Sequence, residues 1–301
     1  AISGSSVATA ATVGLVAIPL LLEEGYGERR AGGFVAGGGT LGIIIPPSIP
    51  LILYGVITET SIGQLFIGGV VPGIIMMSLF TLYVMLSRPR VMVTHSISLE
   101  ERMAITRRSL GVVLLPVVII VAIYTGVFTP TEVGALSVLY VCALGFAQKK
   151  LSFADLKAAA VVATGATTML FMLIVFGQYF AHFLTFEQVP QAIAAAIIEN
   201  ASGIWAVTLM IMAYIVLGMF LESAAMLLIS IPIFIPVAEQ LGMDPIVFGI
   251  FAAISMEIAQ ISPPIGVNLF TIHGISKIDL WKLARGALPF LLIQIGMLYL
   301  V

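Results

Sequence analysis

The length, composition and charge of the chain exclude a soluble protein. Of its 301 residues, 60% are hydrophobic and 9% are charged, and the formal net charge is -2, whereas a soluble domain has about 25% charged residues. The mean hydropathy is +1.16. The near-neutral charge favours neither nucleic acid nor an anionic lipid surface as a partner. Long stretches without Lys, Arg, Asp or Glu indicate helices rather than barrel strands, so we predict an all-α polytopic membrane protein.

The first residues and the cysteine content of the chain give two further indications. It begins with Ala1 inside a run of small residues rather than with a signal sequence, so we interpret it as a piece of a longer protein. Its single cysteine, Cys142, excludes a disulfide framework or a multi-cysteine metal site built from this chain alone.

The chain contains an internal repeat. Residues 1–75 align with residues 218–292 at a constant offset of 217, which places Ser6 on Ser223 and Pro46–Pro47 on Pro263–Pro264. Apolar segments interrupted at corresponding positions of two halves point to the binding site of a secondary transporter. The repeat therefore indicates a transport function, and not only a common ancestry of the two halves.

The predicted elements, in chain order, begin with residues 1–22 as the second arm of a helical hairpin. Membrane spans follow near 31–58, 64–87, 109–128, 131–148 and 158–184, then a re-entrant hairpin at 203–240, and spans at 246–276 and 283–301. This arrangement puts all 13 Lys and Arg residues on one face, which the positive-inside rule makes cytoplasmic. An odd number of crossings separates the two copies, so the second copy is predicted to be inverted.

Three polar stretches lie near the predicted midplane, at 2–9, 37–48 and 257–268. Glycine and Pro-Pro pairs there interrupt helices and leave backbone groups without helical partners. Carbonyl oxygens at such breaks suit Na⁺, and amide groups suit an anion. The hydroxyl and amide side chains beside them are Ser3, Ser5, Ser6, Ser48, Ser262 and Asn268. Small residues also serve helix packing in membranes, but packing alone does not explain the repetition of the breaks.

Two acidic residues, Glu222 and Glu257, are candidates for buried carboxylates, which mark functional sites within membranes. The sequence contains no phosphate-binding loop, HExxH motif or Ser-His-Asp arrangement. We therefore expect neither ATP hydrolysis nor covalent catalysis, and the chain is not predicted to be an enzyme.

The motifs carry a family resemblance. AISGSSVATAATVG, AGGGTLGIIIPPSIPLILYGVIT, GMFLES and SPPIGVNLFTIHGIS together resemble the large membrane subunit of tripartite ATP-independent periplasmic (TRAP) transporters, over essentially the whole chain. The resemblance implies an elevator-type importer with re-entrant helical hairpins and two Pro-Pro-broken transmembrane helices. It implies Na⁺, two or more ions, as the coupling ion. It also implies two partners: a small four-helix membrane subunit, separate or fused, and a periplasmic substrate-binding protein.

The resemblance also assigns site residues. One Na⁺ site would use Ser3, Ser6, Gly42, Ile45 and Pro47, mostly through backbone carbonyls, and the other would use Gly218, Ala259, Ser262 and Ile265. The family often has Gly at the position of Ala259 and Thr at that of Ser262. The residues facing an organic acid substrate would be Ser5, Ser48, Ser223 and Asn268.

The predicted domains follow from the repeat and the resemblance. Residues 1–58 and 203–276 are the two repeat cores of the transport domain. Residues 59–157 form scaffold helices and a cytoplasmic loop, 158–202 form a connecting scaffold helix, and 277–301 form a C-terminal helix.

The function expected is Na⁺-coupled import of a carboxylate-bearing organic acid across the bacterial inner membrane. Sialic acid is favoured as substrate and a C4-dicarboxylate is the alternative. A Na⁺/anion symporter that works without a binding protein is a second hypothesis, and a channel or structural membrane scaffold is a third.

Overall fold

The computed structural model describes residues 4–87, 98–200, 203–264 and 266–301. Every regular element among them is an α-helix, which confirms the predicted all-α class. The helices are α1 (Ser6–Glu23), α2 (Glu28–Ile44), α3 (Ile49–Ile57), α4 (Ile62–Leu86), α5 (Leu99–Tyr124), α6 (Pro130–Ala147), α7 (Phe153–Phe186), α8 (Val189–Asn200), α9 (Ile204–Gly218), α10 (Ser223–Gln240), α11 (Pro245–Ile261), α12 (Val267–Ser276) and α13 (Leu280–Leu298).

The described part of the chain contains 6 helical segments that are long and apolar enough to cross a membrane. They correspond to α1, to α2 taken together with α3, and to α4, α6, α7 and α10. A helix needs about 20 apolar residues to span the hydrocarbon core. The segments therefore fit a polytopic membrane protein.

Contacts divide the chain into two compact units, Ala1–Val93 with Phe176–Val301 and Thr94–Val175. All candidate site residues that the structure describes belong to the first unit. Its best-buried helix is α11, in which each residue from Phe248 to Ile261 is buried. Its helices also approach closely at small residues: a Cβ on Gly33 of α2 would overlap the backbone of Gly286 in α13.

Helix boundaries in the first unit follow the sequence repeat. Helices α1 and α10 begin and end 217 residues apart, and so do α2 and α11. The caps before α1 and α10, Ser5 and Glu222, are also separated by that offset. Equivalent sequences thus give equivalent helix starts and ends.

The second unit contains α5, α6 and the beginning of α7. Thr129 caps α6 in a capping box with Glu132, which satisfies amide groups at the helix start. An apolar cavity of about 440 Å³ is lined by side chains of α5 and α6, among them Leu115, Ile119 and Leu136. Those lining residues include none of the candidate site residues.

The start of α5 differs from the prediction. The span was expected to begin near residue 109, but the helix begins at Leu99. Hydropathy reports only the apolar part of a helix, whereas Glu, Arg and Met are also good helix formers. The polar turns before the apolar segment therefore remain helical.

Candidate functional site

Two helix interruptions organise the candidate site. Helix α2 ends at Ile44 and α3 begins at Ile49, while α11 ends at Ile261 and α12 begins at Val267. The Pro46–Pro47 and Pro263–Pro264 peptide bonds are both cis. Because proline has no amide hydrogen and each helix end leaves several backbone groups without helical partners, both interruptions present carbonyl oxygens.

The first interruption lies against the start of α1. A Cβ on Gly42 would approach Oγ1 of Thr9 to 2.7 Å and the carbonyl oxygen of Ser5 to 3.3 Å. On the other side of the break, the amide of Ile49 donates a hydrogen bond of 3.3 Å to the carbonyl oxygen of Gly4. The carbonyl oxygen of Pro47 lies 3.1 Å from the position of a Cβ on Gly4. The structure thus brings Gly42 and Pro47 to the chain segment that precedes α1.

Two other members of the first predicted Na⁺ set are Ser3 and Ile45. Ser3 lies outside the described residues. Ile45 is the residue that caps the end of α2, and its side chain contacts Gly73 of α4. Because an isoleucine side chain has no ligating atom, the backbone carbonyl is the group that Ile45 offers to a cation.

The second interruption lies against the end of α9. A Cβ on Gly218 would overlap the Cβ of Ala259, so only a glycine allows this approach of the two helices. Ser262 is buried, and its hydroxyl donates a hydrogen bond of 2.6 Å to the carbonyl oxygen of Ile258. The hydroxyl oxygen then keeps its lone pairs for a cation. Ile265 lies outside the described residues.

The four predicted substrate residues occupy helix starts. Ser5 caps α1 through the amide of Ala8, and Ser48 caps α3 through the amide of Leu51. Ser223 and Asn268 lie in the first turns of α10 and α12. Partial positive charge at helix starts favours an anion, so these positions suit a carboxylate.

Asn268 is fully buried, and neither its amide oxygen nor its amide nitrogen has a hydrogen-bond partner among the described residues. A buried amide without partners lowers stability. Ser48 is also fully buried. Folding alone therefore does not explain the polar side chain of Asn268.

The two acidic candidates differ. Glu257 is fully buried, as predicted, and its carboxylate oxygens have no hydrogen-bond partner in the described part of the chain. The prediction for Glu222 was wrong, because this residue is exposed. It precedes α10 and accepts a hydrogen bond of 3.1 Å from the amide of Ala224, which places its charge at a helix start.

One buried side chain at the site, Gln260, was not singled out from the sequence. Gln260 of α11 accepts a hydrogen bond of 2.7 Å from the hydroxyl of Ser6, and its amide nitrogen donates to the hydroxyl of Ser223. The sequence signal that could have found it is a polar amide in an apolar segment, three residues before the second Pro-Pro pair.

Paired helix interruptions beside apolar helical arms are the arrangement in which secondary transporters of the membrane bind their ligands. The profile of the family described as "Tripartite ATP-independent periplasmic transporter, DctM component" matches residues 1–301. The chain belongs to this family. The family is one of transport proteins rather than enzymes, and its description makes the chain one component of a tripartite system.

Curated relatives carry different substrate names. The chain is 38% identical over 305 residues to the C4-dicarboxylate TRAP transporter large permease protein DctM of Pseudomonas aeruginosa, covering 100% of this chain and 71% of the relative. It is 35% identical to the ectoine permease TeaC of Halomonas elongata, with 97% and 69% covered. It is 33% identical to the sialic acid permease SiaM of Vibrio cholerae, with 96% and 69% covered.

Proposed function

We propose that this chain carries out Na⁺-coupled import of a carboxylate-bearing organic acid. The observation that carries the proposal is the meeting of each helix interruption with a neighbouring helical arm: Gly42 with Ser5, and Ala259 with Gly218. At both places a helix end, whose last carbonyl oxygens lack further helical partners, lies against a closely packed neighbouring segment. Secondary transporters bind ions and substrates at interruptions of this kind.

The first Na⁺ would bind between the start of α1 and the first interruption, and the second between the end of α9 and the second interruption. Hard cations prefer oxygen ligands, which backbone carbonyls and serine hydroxyls supply. The ligands proposed for the first ion are Ser3, Ser6, Gly42, Ile45 and Pro47. Those proposed for the second ion are Gly218, Ala259, Ser262 and Ile265.

The substrate would bind through Ser5, Ser48, Ser223 and Asn268. An isolated carboxylate is costly to bury, so the positive charge of bound Na⁺ stabilises it in the pocket. Entry of net positive charge also gains about 2.3 kcal/mol per charge per 100 mV of membrane potential.

Sialic acid and a C4-dicarboxylate are equally supported as substrates. Relatives of similar identity are named for each compound, and both compounds are carboxylates. The same site chemistry therefore serves either of them, and the choice between them depends on measurement.

Transport would follow an elevator mechanism. Residues 1–58 and 203–276 would form a moving transport domain, with 59–157 and 158–202 as scaffold and 277–301 as a C-terminal helix. Helices α1 and α10 are separated by 217 residues, and so are α2 and α11. This equal spacing supports the sequence repeat from which the transport domain and the scaffold are inferred. We infer from the charge distribution that the two copies are inverted in the membrane and that the basic loops are cytoplasmic.

The proposed location is the bacterial inner membrane, and the proposed partners are a small membrane subunit and a periplasmic substrate-binding protein. Membership of a tripartite transporter family supports both partners. A Na⁺/anion symporter without a binding protein would transport equally well when that protein is omitted. A channel would conduct without saturation, and a structural scaffold would tolerate loss of the hydroxyl of Ser262.

Uptake by proteoliposomes containing the complete membrane complex and its binding protein tests the substrate class. Labelled sialic acid and labelled succinate would be compared under the same inward Na⁺ gradient, with ectoine as a third compound. Saturable accumulation of either acid supports the proposal. Accumulation of none of the three compounds, or equal flux without Na⁺, contradicts it.

A further inference from the structure

Gln260 joins equivalent positions of the two repeats. Ser6 in the first turn of α1 and Ser223 in the first turn of α10 align at the repeat offset of 217. The side-chain amide of Gln260 contacts both of them: its oxygen accepts from Ser6 at 2.7 Å, and its nitrogen donates to Ser223. One side chain of α11 therefore connects the starts of two helical arms that are far apart in sequence.

The connection is shielded from water. Gln260 is 1% exposed, Ser6 is 1% exposed and Ser223 is 5% exposed. Hydrogen bonds in such surroundings are strong, and a buried polar group that loses its partner is destabilising. Displacement of either α1 or α10 from α11 thus leaves part of the Gln260 amide without a partner.

The bridge also connects residues of the two proposed Na⁺ sites. Ser6 belongs to the first proposed ligand set. Gln260 follows Ala259 directly and precedes Ser262 by two residues, and both of these belong to the second set. A change in the position of Ser6 therefore reaches the end of α11 through a single side chain.

We propose that Gln260 is a positioning residue that couples the two Na⁺ sites, so that an ion bound at one site raises the affinity of the other. This inference rests on the proposed Na⁺ coupling. An ion at the first site holds Ser6, Ser6 and Ser223 together fix the amide of Gln260, and Gln260 in turn holds the backbone at Ala259 and Ser262. Coupling of binding free energies is reciprocal, so occupancy of the second site favours the first equally.

A matched control, Gln294 of α13, exists in the same unit. Gln294 is fully buried, and its amide nitrogen donates a hydrogen bond of 2.6 Å to Oγ1 of Thr40 in α2. It resembles Gln260 in residue type and burial, but it belongs to neither proposed ligand set, and its amide nitrogen bonds to Thr40 rather than to Ser6 or Ser223. Gln294→Leu therefore reports the general effect of losing a buried glutamine.

The test measures the thermal unfolding midpoint of the purified complete membrane complex at increasing Na⁺ concentrations. Choline chloride keeps the ionic strength constant. We expect the unmodified complex to show cooperative stabilisation, with a Hill coefficient approaching about 2, the number of coupled sites. In Gln260→Leu the coefficient falls to about 1, and the half-saturating Na⁺ concentration rises about fivefold. Gln294→Leu keeps the cooperativity, whichever way it moves the midpoint without Na⁺.

A milder variant covers the case in which Gln260→Leu does not fold. Ser223→Ala removes one arm of the bridge and leaves the bond between Ser6 and Gln260, and it too should lower the Hill coefficient. Cooperativity that persists in Gln260→Leu or in Ser223→Ala, or that falls equally in Gln294→Leu, overturns the coupling inference alone. If Na⁺ does not stabilise the unmodified complex, both the inference and the proposed Na⁺ coupling are wrong.

Discussion

Gly33 of α2 and Gly286 of α13 meet through their backbones, because a Cβ on Gly33 would overlap the carbonyl group of Gly286. A Cβ on Gly286 would in turn lie 3.1 Å from the Cα of Gly33 and would overlap the carbonyl oxygen of Arg29, one turn earlier in α2. Small residues that allow such approach are the usual means of helix association in membranes. The contact holds α13 against the helix that leads to the first interruption.

We expect Gly33→Ala to lower the free energy of unfolding by about 1–3 kcal/mol, because the added methyl group meets backbone that must shift. The matched control is Gly38→Ala in the same helix, where a Cβ would have no atom within 4 Å. That change should be neutral or stabilise by about 0.4–1 kcal/mol. Thermal unfolding of the detergent-purified complexes compares the two. Equal midpoints would contradict the close approach of α2 and α13.

Substitution of Asn268 distinguishes a structural role of this side chain from a role in substrate binding. We expect Asn268→Leu to preserve or raise stability, because it removes a buried amide without partners among the described residues and introduces the residue found at the equivalent position of the first repeat, Leu51. The same change should lower uptake at least tenfold through loss of a polar contact to the substrate. Thermal unfolding and initial uptake rates are the two measurements.

Two outcomes of the Asn268→Leu experiment would contradict a role of Asn268 in substrate binding. A large loss of stability would mean that the amide has a structural partner, and the binding role would then be unsupported. Unchanged uptake in a stable variant would remove Asn268 from the proposed substrate site.

Substitution of Ser262 should change the Na⁺ dependence of uptake more than the affinity for the substrate. Its hydroxyl hydrogen is donated to Ile258, which leaves the oxygen free to face an ion. We expect Ser262→Ala to raise the Na⁺ concentration for half-maximal uptake about tenfold, in keeping with about 1.4 kcal/mol of lost binding. Ser262→Thr should retain near-normal Na⁺ dependence, because it keeps the hydroxyl.

The control for Ser262 is Ser78→Ala in α4. The Ser78 hydroxyl makes the same type of bond, 2.8 Å to the carbonyl oxygen of Ile74, but it is exposed. Its loss should leave Na⁺ dependence unchanged. If Ser262→Ala and Ser78→Ala behave alike, Ser262 is not a Na⁺ ligand.

The sequence was sufficient for the helical class and for the two helix interruptions, but not for every helix end, as the start of α5 at Leu99 shows. Composition alone indicated a membrane protein, and the Pro-Pro pairs marked the two helix interruptions, which are a local effect of backbone chemistry. Ser5 and Ser48 were predicted as substrate-binding residues, and the structure shows that they also cap helices. The prediction of burial for Glu222 was wrong because a hydropathy pattern does not show that a carboxylate caps a helix at an exposed turn.

Gln260 shows why the rest could not be predicted. Its partners Ser6 and Ser223 are brought to it only by tertiary packing, in which α1 packs against α2 and α12 and α10 packs against α11. Sequence distance contains no such information. The close approach of Gly218 to Ala259 has the same origin. Local patterns indicated the segments of the site, and tertiary packing determined which of them meet.

Na⁺-driven transport that depends on a periplasmic binding protein is tested by initial uptake into proteoliposomes holding the complete membrane complex. Labelled sialic acid and labelled succinate would be supplied in parallel, with the Na⁺ gradient and the cognate binding protein each present or omitted. We predict accumulation of one acid only when both the gradient and the binding protein are present. Flux that is indifferent to Na⁺ or to the binding protein would contradict this mechanism.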